Sequence, residues 1–219
     1  MSGAIQSVFQ NQRSFASAIP TTIGGPFGGG FYAGKIAVGG GGVATHYLIV
    51  APKSTGEILD TAWGPTGVTT GIVSVIDGPA NSAALAALGV GYAAATFCEG
   101  LSIGGYTDWY LPAKNELEVL YYFLKPGTTL NNISYGSNAN AVAPEPISTN
   151  YTTGDPAQTP VGIGFRSGET NCFEIGTYWS STEENANNAF GQGFNNGIQT
   201  SAVKDILTRE VRAVRRIAI

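Results

Sequence analysis

Two strand signals near the C-terminus enclose a run that has no period of its own, and this constrains the chain more than any other feature. Tyr178-Trp179 leads into Ser180-Ser181-Thr182, and Val211, Val214 and Ile217 lie in a later β-branched run. Both stretches have the composition of well-packed strands. Between them, Asn195-Asn196-Gly197 is a strong hairpin turn, because Asn and Gly tolerate positive φ. The run that follows, residues 198–210, repeats with neither the helical nor the strand period. An unpatterned segment clamped between two well-specified strands suits an exchangeable binding surface, since the framework carries the fold and the segment is free to vary.

The 219 residues suffice for one large domain or two small ones, with a real core. Charged residues are 12%, well below the usual ~25%, and the 31 glycines are about twice the average share, so many turns and a neutral polar surface are expected. With a net charge of −4 and no large basic patch, the chain is not expected to bind nucleic acid. Arg209, Arg212, Arg215 and Arg216 alternate with apolar groups, as solvated strand faces or paired arginines would. No run of eighteen apolar residues is present, so no membrane insertion is expected, and no secretory signal is visible. Cys98 and Cys172 are read as buried thiols rather than a disulfide. Two cysteines and one histidine do not make a zinc site of the usual spacing.

Residues 1–30 are predicted to form an arm followed by a Gly-rich linker, either a disordered tail or an attachment segment, with the folded domain spanning 31–219. Residues 31–38 and 45–51 read as a hairpin across Gly39 to Gly42, which makes His46 an ordinary strand residue. A short strand is expected over residues 71–76. Asn81 is expected to cap a helix over residues 83–88, and a second helix should run over about 92–101. Leu117, Leu120, Tyr121 and Leu124 form a buried helical stripe, with Pro112 at its entry and Pro126-Gly127 at its end. Residues 128–171 are a long insertion rich in Asn, Ser, Thr, Gly and Pro, functional or disordered by its length. Further short strands are expected around Trp179, over residues 189–194 and over 211–217.

Two segments carry a resemblance. Gly105-Tyr-Thr-Asp-Trp-Tyr-Leu-Pro-Ala-Lys-Asn-Glu-Leu117 is similar to a Gly-x-x-Asp-Trp-x-Leu-Pro-x-x-x-Glu-Leu element. Tyr178-Trp-Ser-Ser-Thr182, followed by Ala189-Phe190, Phe194, Gly197 and Val211-Arg-Ala-Val-Arg-Arg216, looks like the closing segment of the same group. That group shares the C-terminal domain of bacterial collagen-like adhesins. The resemblance implies an α+β, C-type-lectin-like fold of the formylglycine-generating-enzyme subtype, with two main helices packed on short antiparallel strands and many long loops. Ala113 stands where many members carry a capping Ser or Thr, a loss of about 1 kcal/mol. Glu145-Pro146-Ile147, with no later Trp-Asn-Asp, does not reproduce the calcium-type sugar site, and the cysteines do not reproduce the catalytic arrangement. No cofactor is expected. A structural calcium held by loop carbonyls has no support in the sequence.

The closing segment also resembles the variable region of phage proteins diversified by retroelements, which mutate adenines in Asn codons. Candidate variable positions are Gly191, Gly193, Ile198, Thr200, Ser201, Ala202, Val203, Asp205, Ile206, Leu207 and Thr208, with Gln192, Gln199 and Lys204 between them as fixed positions. Substituting the first two bases of an Asn codon cannot produce Lys, Glu, Gln, Met or Trp, and none of these occurs at the candidate positions.

The resemblance implies a non-enzymatic virion protein of a phage, at a tail fibre tip or as a receptor-binding protein, that recognises a host-surface glycan or protein. The expected contact residues are Phe190, Gly191, Gln192, Gly193, Asn195, Ile198, Thr200, Ser201, Val203, Asp205, Ile206 and Thr208. Other virion proteins would bind residues 1–30, and the chain would form a homo-oligomer, a trimer among the options. The alternative is a capsid decoration or tail-attached subunit with no receptor role. Glu183, Glu184 and Asp108, the acids an enzyme would need, have no partner His, Cys or metal set in the sequence. Asp108 is expected to hold backbone amides in the Trp109 turn.

Overall fold

The computed structural model describes residues 22–219. Residues 1–21 of the predicted arm lie outside the described residues. Residues 22–30 are not a linker. Strand β1 (Pro26–Phe27) pairs with β2 (Gly30–Ile36), Gly24 donates its amide to Tyr32 O at 2.8 Å, and Phe27 is buried edge-on against Tyr32 and Tyr47. One buried aromatic ring among the glycines supplies the apolar contact that a flexible linker lacks.

The molecule is α+β, built from short helices and antiparallel strands as expected. β2 pairs with β3 (His46–Val50), the predicted hairpin, and β3 pairs on its other side with β9 (Val214–Ala218). A second sheet joins β4 (Glu57–Ile58) to β8 (Val211–Arg212). A third, in the order β5-β6-β7, contains β5 (Thr177–Glu183), β6 (Asn188–Gly193) and β7 (Gln199–Val203). Among the helices, α1 (Lys53–Gly56) is a single turn, while α2 (Gly78–Ala87) and α3 (Ala93–Glu99) pack on each other. Helix α4 (Lys114–Leu124) lies against β2 and β6.

Trp63, Trp109 and Trp179 are fully buried in one apolar cluster. Their indole N–H groups donate to Ser180 O at 2.8 Å, Tyr106 O at 3.2 Å and Thr61 O at 2.9 Å, so burying these large rings strands no donor. The second cluster contains the predicted stripe Leu117, Leu120, Tyr121 and Leu124. Its helix approaches β2 closely at Gly34, where a Cβ would stand 2.8 Å from the Phe123 ring and 3.0 Å from Val119 Cγ1. Ala113 offers no side-chain cap, and two other groups replace it. Glu116 accepts the Ala113 N–H at 2.9 Å, and Thr182 Oγ1, reaching over from β5, accepts the Lys114 N–H at 3.0 Å.

Two local expectations fail for tertiary reasons. Residues 71–76 form no strand, because their backbone is claimed elsewhere. The Gly71 N–H donates to the Glu183 carboxylate, and Ile72 O accepts the Glu183 N–H. Asn81 lies inside α2 rather than at its start and donates to Ser74 O at 2.6 Å, which ties the helix to the preceding loop. The long insertion 128–171 contains no helix or strand, and asparagine side chains order it instead. Asn131 accepts from Tyr121 and Lys125 and donates to Pro156 O, and Asn140 donates to Ala37 O at 2.8 Å. These side-chain amides do what a backbone ladder does in regular structure.

Candidate ligand-binding face

The predicted turn forms as expected. The Gly197 N–H donates to Gly193 O at 2.9 Å, Asn195 and Asn196 side chains accept nearby amides, and Gly197 has φ of 79°. A Cβ at Gly197 would sit 2.6 Å from Tyr121 Cε1 and 2.7 Å from Tyr151 Cε2. The left-handed backbone and the aromatic contact therefore both demand glycine. Gly197→Ala is expected to cost about 2–4 kcal/mol, the sum of the conformational and overpacking penalties. A urea midpoint for this variant equal to the parent's would contradict the close approach.

The unpatterned run is half strand. β7 occupies residues 199–203 and pairs antiparallel with β6, with Phe190 opposite Ser201 and Gly191 opposite Thr200. It is an edge strand, and Phe190, Ile198, Thr200, Ser201 and Ala202 are half-buried along it. Beyond it the chain comes out into solvent. Val203, Asp205, Ile206, Leu207 and Thr208 are exposed, with Leu207 60% and Val203 48% accessible, and Asn195 is exposed at the turn.

Three expected contact residues are not on this face. Gly191, Gln192 and Gly193 are buried, because β6 is the middle strand of its sheet and is covered on both sides. The face also has two separated ends. The turn at Asn195 and the connector at residues 205–208 lie at opposite ends of β7, roughly 13 Å apart at the usual rise per strand residue.

One residue in the exposed run points inward. Lys204 is fully buried, and its ammonium meets the Glu183 carboxylate, Val68 O at 2.7 Å and Ala186 O at 3.1 Å, with the Trp63 ring centroid at 4.9 Å. Its backbone carbonyl accepts the amides of Trp63 and Gly64, and its N–H donates to Asn187 O. Burial pushes the Glu183 carboxyl upward, but Lys204 and the Thr70 and Gly71 amides outweigh it and hold the group below the usual carboxylate range. This pin ties the 66–72 loop to the connector through Val68 O, a contact between residues 136 apart in sequence that no local pattern records.

The connector is anchored again where it ends. Arg209 lies over the Trp179 ring at 4.8 Å, and Trp179 N–H donates to Glu210 O at 2.9 Å. The other three arginines of the C-terminal cluster are paired, as the alternating pattern allowed. Arg212 is fully buried against Glu57 at 2.8 Å, Arg215 makes a two-bond pair with Asp108, and Arg216 meets Asp77 and Glu116. Asp108 thus serves Arg215 rather than amides of the Trp109 turn, and that guanidinium holds its carboxyl below the ordinary value. Both cysteines are free thiols, with Cys98 buried and Cys172 half-buried. Among the described residues no three His, Cys, Asp or Glu side chains gather as a metal site, and no helix is long and apolar enough to cross a membrane.

No curated protein matches this chain. A family model described as the Lcl C-terminal domain matches residues 74–215, from the loop before α2 to β9, a span that contains α4, the whole β5-β6-β7 sheet and the connector. The chain belongs to the Lcl C-terminal domain family.

Proposed function

We propose that this chain is a non-enzymatic binding protein of a phage particle, with a C-type-lectin-like fold, that recognises a host-surface glycan or protein through the edge of β7 and the connector 203–208. The observation that carries the reading is the alternation within this run. Side chains on either side of Lys204 are exposed, while Lys204 itself is fully buried and fixes the path of the backbone. A surface built this way accepts sequence change without loss of fold, and its Ser, Thr and Asp groups with Val203, Ile206 and Leu207 offer adaptable hydrogen bonds beside apolar contact. Retroelement-driven diversification would act on these positions and leave Gln192, Gln199 and Lys204 in place, and the inward placement of Gln192 and Lys204 suits that division. Residues 1–21, ahead of the stretch that packs into the domain, would attach it to other virion proteins, and copies in an oligomer, a trimer for example, would raise weak single-site binding by roughly 10²–10⁴.

The test is a variant with Val203, Asp205, Ile206, Leu207 and Thr208 all changed to Ala and Lys204 kept. Each exposed change should alter stability by no more than about 0.5 kcal/mol. Adsorption of particles carrying the variant to host cells is expected to fall by about 10²-fold or more, the avidity gain being lost. Unchanged adsorption with an intact thermal transition would remove the connector from the receptor site. Sequencing the locus in sibling phages tests diversification separately, since differences confined to the candidate positions would establish it and differences scattered outside them would rule it out.

A further inference from the structure

A buried polar cluster lies behind the binding face, between α4, β6 and the 138–151 segment. Its placement follows from register. Along α4, Lys114, Glu118 and Tyr121 share one face at i, i+4 and i+7. Along β6 and its continuation, Phe190, Gln192 and Phe194 alternate onto one face. The two rows meet at both ends, with the Lys114 ammonium 4.4 Å from the Phe190 ring and the Tyr121 ring 5.7 Å from that of Phe194. The middle members, Glu118 and Gln192, are therefore brought face to face. From a third side, Asn138 Nδ2 donates both to Asn115 O on α4 and to Glu145 Oε1, each at 3.0 Å, which holds the Glu145 carboxyl against the helix.

These groups are buried and unsatisfied together. Glu118 and Gln192 are each 1% exposed, Glu145 2% and Tyr151 4%. Among the described residues, eight buried side-chain atoms have no hydrogen-bond partner, and six of them belong to these four residues. They are both oxygens of Glu118, Oε2 of Glu145, both amide atoms of Gln192 and the Tyr151 hydroxyl, whose ring is tilted against Tyr121 at 5.6 Å. Such atoms are rare in a folded protein, and their concentration at one place points to a missing partner. Lys114, the cation alongside, turns its ammonium over Phe190 and makes no hydrogen bond to Glu118.

We propose that this cluster is a buried site for a hard divalent cation, Ca²⁺ by its donor set, held by the carboxylates of Glu118 and Glu145 and by the amide oxygen of Gln192. All three supply oxygen, the donor that Ca²⁺ takes from carboxylates and side-chain amides alike. Two buried carboxylates need either protons or a cation. Burial, reinforced by the Glu145 charge, raises Glu118 well above the carboxylate range, although Lys114 pulls it down. Burial lifts Glu145 to about 8 against the bond from Asn138. The other titratable groups around the cluster are Tyr121, Tyr122 and Asp155, with Lys125 over the Tyr121 ring and Glu184 acting on Lys114. With both carboxyls raised, the folded state holds more protons than the unfolded one, so the cation-free protein loses stability as pH rises from about 4.5 through 8. This site does not rest on the receptor reading.

The experiment takes the full chain stripped with EDTA and records thermal unfolding at pH 5 and pH 8, with and without CaCl₂, MgCl₂ or MnCl₂. Ca²⁺ at about 100 times its Kd is expected to raise Tm by about 5–10 °C at pH 8 and by less at pH 5, where protons compete. Tb³⁺ should show luminescence sensitised by the neighbouring tyrosines. Glu118→Gln should abolish both signals while unfolding at least as high as the stripped parent at pH 8, because it removes a buried charge. If that variant does not fold, Gln192→Glu, which adds a third carboxylate, should bind Ca²⁺ at least 10-fold more tightly. No shift with any of the three cations, a shift retained in Glu118→Gln, or unchanged affinity in Gln192→Glu would each overturn the site.

Discussion

Lys204→Met should lower the stability of this protein by about 3–5 kcal/mol, because it leaves the Glu183 carboxylate buried with its counter-charge gone. For a chain of this length that corresponds to a Tm lower by about 10 °C. The methionine fills most of the space under Trp63, so the loss reports charge and hydrogen bonding more than cavity. Two further acceptors, Val68 O and Ala186 O, lose the ammonium at the same time. The companion Glu183→Gln should also destabilise. The double variant should lose less than the sum of the two, since neither ion then remains unpaired. Glu183 is held below the usual carboxylate range, so its contribution is present at neutral pH and is lost only as pH falls through that lowered pKa. Additive losses in the double-mutant cycle, or a Lys204→Met protein that melts with the parent, would show that this ion pair does not fix the connector.

What was legible in the sequence was local. The β2–β3 hairpin, the α4 stripe and the Asn195–Gly197 turn each follow from residue types a few positions apart, and each forms where expected. β7 was not legible. It is an edge strand with half-covered faces, so Gln199-Thr200-Ser201-Ala202-Val203 shows no alternation, and its extended form comes from pairing with β6. The β-branched residues 71–76 misled for the opposite reason, since Glu183, more than a hundred positions away, takes the backbone bonds that a strand would need. The burial of Gln192 was hidden too, because the middle strand of a sheet reads like an edge until its neighbours are known. The exposed connector was thus placed to within a few residues, while the pins that hold it, Lys204 through Glu183 and Arg209 through Trp179, pair residues too far apart in sequence for any periodicity to record.

The exit pin leads to the other large effect. Trp179→Ala should cost about 3–5 kcal/mol, the usual range for removing a fully buried aromatic side chain. Its indole N–H donates to Thr61 O at 2.9 Å, and Thr61 N–H donates to Arg209 O at 3.0 Å, so one ring braces the strand and the end of the connector together. Removing it takes the apolar contact from the core, the donor from Thr61 and the aromatic face from beneath the Arg209 guanidinium. Trp179→Phe keeps most of the volume but not the donor, and should lose only about 1–3 kcal/mol, the cost of one unsatisfied buried acceptor. Urea unfolding measures both losses, and limited trypsin digestion locates them. Arg209 is half-buried in the parent and should be cut slowly, whereas in Trp179→Ala the connector loses its brace and cleavage after Arg209 should precede global unfolding. If the Ala variant lost stability uniformly, with no early cut at Arg209, Trp179 would be a core residue alone. The connector would then owe its path to Lys204 without help from its far end.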